Sequence, residues 1–178
     1  MCKGWKAADR APLPGSVKAV SFDMAIVGPG RGRLEEAAER TAALCPDVER
    51  VLVRGSFDNL DVRADFAIIT SWRLSLRSLE FVDCVGLRSF HCLHFMPRLV
   101  DIKIRATHNW PDALKCKAFA DGEGLLRILV GEVFAQTEPP MLEHVDLSGC
   151  ACVTDDVVRM ILGNPNVRRL VLPPVDWT

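Results

Sequence analysis

The chain has no apolar run approaching the roughly 20 residues that a bilayer-spanning helix requires, so membrane insertion through such a helix is not expected. It has no marked excess of charge of either sign. Against 22 Lys and Arg stand 23 Asp and Glu, a formal net charge of −1. Non-specific nucleic-acid binding rests on a basic footprint, so this balance excludes a protein whose main task is neutralising phosphates, although not a local basic patch. Residues 1–15, MCKGWKAADRAPLPG, lack the apolar core of a secretory signal. Nor do they read as a mitochondrial presequence, since Asp9 accompanies Lys3, Lys6 and Arg10. There is no Gly-x-Ser-x-Gly, and no Ser/His/Asp grouping that the strand pattern described below would bring together.

What is present suits one folded domain. At 178 residues, 49% hydrophobic and 25% charged, the chain can bury a substantial core. The seven cysteines are Cys2, Cys45, Cys84, Cys92, Cys116, Cys150 and Cys152. An odd number scattered through apolar stretches, with no signal segment, points to reduced, buried thiols in an intracellular protein, mitochondrial or cytosolic.

A pattern of apolar-x-x-apolar-x-apolar occurs six times: Val17/Val20/Phe22, Val48/Val51/Val53, Leu76/Leu79/Phe81, Leu99/Ile102/Ile104, Leu142/Val145/Leu147 and Val167/Leu170/Leu172. The starts lie 31, 28, 23, 43 and 25 residues apart. Helical signals fill the intervals. RLEEAAERTAAL (Arg33 to Leu44) sets Leu34, Ala38, Thr41 and Ala42 on one face, and Leu60, Val62, Phe66 and Ile69 form a looser stripe. Thr154 ahead of Asp155 and Asp156 is an N-cap with acids in the first turn, and Gly163-Asn164-Pro165 should end that helix. The long interval contains GLLRILVGEVFAQ (Gly124 to Gln136), a helix within an insertion of about 106–138. Strands alternating with helices at this pitch demand parallel pairing, because returning to the same edge needs a crossover.

LEHVDLSGCACVTDD and RSLEFVDCVGL resemble the cysteine-containing, ribonuclease-inhibitor-like leucine-rich repeats, in which a strand leads through a Ser-Gly-Cys turn into a Thr-Asp helix start. LCPDVERVLV and GNPNVRRLVL resemble the other half of that unit. In the family, Cys or Asn caps the turn, the position held here by Cys84 and Cys150. The resemblance is strongest over Leu76 to Ile104 and Leu142 to Leu172, weaker from Val17 to Val53 and absent in the insertion. It extends to small mitochondrial proteins similar to the subunit-s factor of ATP synthase and to assembly factors of respiratory complexes. It also extends to F-box substrate receptors, but the residues ahead of Val17 do not read as the three helices of an F-box. The resemblance implies an α/β leucine-rich-repeat solenoid over residues 16–174, with about six repeats, a curved parallel sheet and helices on its convex side. An N-terminal arm (1–15) and a short tail (175–178) flank it.

In such a fold the residues between the apolar positions line the concave sheet: Ala19, Ser21 and Asp23; Arg50, Leu52 and Arg54; Ser78, Glu80 and Val82; Asp101, Lys103 and Arg105; His144, Asp146 and Ser148; Arg169, Val171 and Pro173. Arginines and isolated aliphatics among acids suit a protein partner, for which anchors supply energy and charge pairs supply register. Arg50, Leu52, Arg54, Glu80, Val82, Lys103, Arg105, His144, Asp146 and Arg169 are the candidate contacts, with Trp5 and Trp177 as terminal anchors or end caps. The expected function is a non-catalytic interaction scaffold or adaptor subunit of a larger assembly, with no cofactor and no small-molecule substrate.

Two other readings carry less weight. Arg31, Arg33, Arg168 and Arg169 could reach RNA phosphate in a ribonucleoprotein such as a mitochondrial ribosome. Cys84, His91, Cys92 and His94 have the ligand types for zinc, but His91-Cys92-x-His94 falls in a short stretch where successive side chains diverge. GPGRGR (Gly28 to Arg33) has neither phosphate-loop nor dinucleotide spacing and reads as a loop, and Cys150-x-Cys152 reads as a turn rather than a redox pair.

Overall fold

The computed structural model describes residues 17–27, 33–55, 71–84, 96–108, 141–150 and 153–174. Within them lie β1 (Ala19–Asp23), α1 (Met24–Val27), α2 (Arg33–Leu44), β2 (Arg50–Arg54), β3 (Ser78–Val82), β4 (Asp101–Arg105), β5 (His144–Asp146), α3 (Asp155–Gly163) and β6 (Arg169–Val171). The strands form one six-stranded sheet in the order β1-β2-β3-β4-β5-β6, and every neighbouring pair is parallel.

Register follows from the apolar pattern. Val20, Val51, Leu79, Ile102, Val145 and Leu170 stand side by side across all six strands. Phe22, Val53, Phe81 and Ile104 form a second row beside them. A one-residue slip would turn both rows to the opposite face, so burial enforces the pairing. Each strand also starts in the same way. The carbonyls of Lys18, Glu49, Arg77, Val100 and Glu143 each accept two successive N–H groups from the entry to the next strand, at 2.8–3.1 Å.

The apolar rows pack into one core with Leu34 and Ala38 of α2 and Val157 and Ile161 of α3. Thr154 caps α3, its side chain accepting from Val157 N, and the helix ends at Gly163 with Asn164 as C-cap. Single buried residues precede the strands as well: Cys45, Trp72, Met96 and Asn164 all lie three or four positions ahead of an apolar triplet. Trp72 is the largest of them. It tilts against Phe22 with ring centroids 6.2 Å apart, and its Nε1 donates to the Cys45 carbonyl at 2.9 Å. Trp72→Phe keeps much of the apolar volume but strands that buried carbonyl, so about 2 kcal/mol of stability should be lost. Urea unfolding of the variant would measure it.

The structure departs from the sequence reading at the sheet ends. Four central triplets are fully buried, whereas Val17, Val20, Val167 and Leu170 are only partly covered and Leu172 is 39% exposed. Terminal strands have one sheet neighbour instead of two, so equal apolarity does not bring equal burial. The single-turn α1 was not anticipated; Asp23 Oδ1 accepts from Ala25 N and starts it. The stripe from Leu60 to Ile69, the helix Gly124 to Gln136, the arm and the tail lie outside the described residues. Among the described residues no helix is long and apolar enough to cross a membrane.

Candidate functional site

Because side chains alternate along a strand, the residues between the buried rows share the opposite face of the sheet. Three lateral rows result. The first runs Ala19, Arg50, Ser78, Asp101, His144, Arg169 and the second Ser21, Leu52, Glu80, Lys103, Asp146, Val171. The third runs Asp23, Arg54, Val82, Arg105. All ten candidate contacts on the sheet therefore belong to one surface.

They do not contribute equally. Val82 is buried, with 5% exposure, and offers a partner almost no area. It sits in register between Arg54 and Arg105 on the neighbouring strands, where a short side chain is overshadowed by two long ones. Ser78, between Arg50 and Asp101, is buried as well. Leu52 and Val171 are half-buried, and Arg50, Arg54, Arg105 and Arg169 are exposed.

At the centre the charges hold one another. Arg105 Nε donates to Asp146 Oδ2 at 2.9 Å, and its Nη1 lies 3.4 Å from Glu80 Oε1. Asp146 Oδ1 also accepts from Ser148 N at 3.1 Å. His144 Nδ1 lies 2.6 Å from Asp101 Oδ1, and Lys103 Nζ approaches Asp101 Oδ2 at 4.0 Å. These links cross strands that are 41 and 43 residues apart in sequence for the Arg105–Asp146 and His144–Asp101 pairs. Half-exposed pairs of this kind contribute about 0–1 kcal/mol each, so they set side-chain positions more than they hold the fold. A groove of about 310 Å³ lies over β4, β5 and β6, lined by Asp101, Lys103, Arg105, His144, Val145, Asp146, Arg169 and Val171.

The turn after β5 explains its Ser-Gly-Cys sequence. A Cβ on Gly149 would lie 2.6 Å from the Arg105 carbonyl carbon, so only glycine fits against the exit of β4. Cys150 is buried, and Cys84, also buried, directs its thiol to the carbonyls of Val53 and Val82 at 3.6 and 3.5 Å. Both cysteines thus occupy turns at strand ends. Sequence reading missed the neighbouring Asp83, which adopts a positive φ of 54° and accepts from the N–H and hydroxyl of Thr107. An Asp after a strand is a weak turn signal, and nothing in the chain marks Thr107 as its partner.

The competing sites rest largely on residues outside those described. Arg33 begins α2, Arg168 lies 3.8 Å from Glu143 and Arg169 is on the sheet face, so these arginines form no cluster. Arg31, His91, Cys92, His94, Cys152, Trp5 and Trp177 lie outside the described residues. Among the described residues no group of three or more His, Cys, Asp and Glu side chains is placed to hold a metal. The chain matches no family model, no curated protein and no solved structure.

Proposed function

We propose that this chain is a leucine-rich-repeat solenoid of about six repeats that acts without catalysis, as a scaffold or adaptor subunit of an intracellular assembly, mitochondrial or cytosolic. The partner is a protein, and it docks on the sheet face of Arg50, Leu52, Arg54, Glu80, Lys103, Arg105, His144, Asp146 and Arg169. The observation that supports this reading is the lateral alignment of these residues in three rows across the parallel sheet. A rigid sheet presents such rows at fixed spacing, so a partner gains register without ordering the receptor on binding. A solenoid reading adds that each strand leans on its neighbours, which keeps the concave face preorganised.

Leu52 and Val171 are the apolar anchors of this face. The double variant Leu52→Thr, Val171→Thr keeps β-compatible side chains and leaves every charge in place. It should melt within a few degrees of the wild type while retaining about tenfold less of its partner in a quantitative pull-down from native extract. Undiminished retention by the double variant would show that the partner docks elsewhere.

A further inference from the structure

We infer that the partner presents acidic side chains to this face in two separated clusters, an inference that rests on the protein-docking reading above. The face carries four acids, and each is already engaged. Asp23 starts α1 through Ala25 N, Glu80 and Asp146 hold Arg105, and Asp101 holds His144 and approaches Lys103. The cations divide differently. Lys103 and Arg105 are drawn into that network, whereas Arg50, Arg54 and Arg169 make no ion pair and no side-chain hydrogen bond among the described residues. What the face leaves for a partner is therefore positive, although the chain as a whole is not.

The three free guanidiniums lie toward the two ends of the face, on β2 and β6. Arg50 and Arg169 share one lateral row but stand on β2 and β6, four strand spacings or roughly 19 Å apart. Each is followed two residues later by an aliphatic on the same face, Leu52 beside Arg50 and Val171 beside Arg169. Arg54 extends the first cluster along β2. Each end thus offers arginine with an adjacent apolar patch, and a network of charges already paired with one another separates them. That arrangement fits carboxylates flanked by apolar side chains, since a guanidinium binds a carboxylate through two parallel hydrogen bonds. A nucleic-acid backbone fits it poorly. Phosphates running from Arg50 to Arg169 would pass Asp101 in the same row, with Glu80 and Asp146 in the next.

The test uses the full chain and two fluorescein-labelled peptides of identical length. One carries two Glu-Leu-Glu clusters separated by a Gly/Ser spacer able to span the two ends, and the other has lysine for glutamate. A single-stranded RNA oligonucleotide is the third probe. Fluorescence anisotropy should show salt-sensitive binding of the acidic peptide alone. Arg50→Glu, Arg54→Glu, Arg169→Glu combined should weaken that binding by about tenfold or more. Arg73→Glu, an exposed arginine outside the three rows, should leave it unchanged. If the triple reversal does not melt like the wild type, the glutamine versions at the same three positions replace it.

Equal binding of the lysine peptide, tighter binding of the RNA, or indifference to the triple reversal would each overturn the inference. The native extract separates its failure from that of the docking reading. A partner kept by the triple reversal but lost by Leu52→Thr, Val171→Thr overturns the acidic-partner inference and leaves the face as the docking surface. A partner kept by both variants overturns both.

Discussion

Leu147→Asp is expected to abolish the folded state of at least the β5–β6 end of the sheet. Leu147 is fully buried, and its backbone N–H donates to the Val171 carbonyl at 2.8 Å, which ties β5 to β6. The substitution forfeits about 1.5–3 kcal/mol of apolar burial. It also places a carboxylate in the core that holds Val145 and Ile161, where no buried cation is found among the described residues, at a further cost of several kcal/mol. The sum rivals the ~5–15 kcal/mol by which ordinary domains are stable. Circular dichroism at 25 °C should show lost strand and helix signal, and urea titration should show no cooperative transition, or a much weakened one. A melting curve equal to that of the wild type would mean that Leu147 does not face the core.

Gly149→Ala should be the most damaging of the conservative changes. The added methyl would run into the backbone at the exit of β4, with the Arg105 carbonyl carbon at 2.6 Å, Ala106 N at 2.8 Å and Arg105 Cα at 2.9 Å. No flexible side chain is available to give way. Either the turn retreats, breaking the 2.8 Å hydrogen bond from Gly149 N to the Ile104 carbonyl, or β4 shifts and disturbs its pairing with β5. Overpacking of this kind costs about 1–3 kcal/mol, and the lost backbone bond adds about 1 kcal/mol. Because Arg105 leads this exit and also anchors the charge network, the variant should weaken partner binding along with stability. Gly163→Ala is the comparison, since nothing lies within 4 Å of a Cβ there. It should unfold at nearly the wild-type urea concentration, whereas Gly149→Ala should unfold well below it.

The sheet was legible in the sequence because the same three-position apolar pattern marks every strand, although the spacing between strands varies from 23 to 43 residues. Val51, Leu79, Ile102 and Val145 could be aligned on paper, and they lie side by side. The α3 boundaries were legible too, since Thr154 and Asn164 act on groups within four residues of themselves. Trp72 escaped notice because its value to the core depends on Phe22 and Cys45, 50 and 27 residues away. The ends were overestimated for a related reason: Leu172 is as apolar as Leu147, but a pattern does not say which strand has a neighbour on both sides.

For the candidate site the division is sharper. Alternation along each strand was sufficient to say that Arg50, Glu80, Lys103, Asp146 and Arg169 share one face, because that depends only on the two-residue period of the backbone. Which charges are already engaged and which are free depends on lateral register and on distances of a few ångströms between strands remote in sequence. Asp146 and Arg105 are 41 residues apart along the chain and 2.9 Å apart in space. The chain by itself determined the direction in which each side chain points. The tertiary structure alone decided that Val82 is covered, that the acids are occupied, and that Arg50, Arg54 and Arg169 remain open, because Coulomb and hydrogen-bond energies fall off with distance in space and take no account of distance along the sequence.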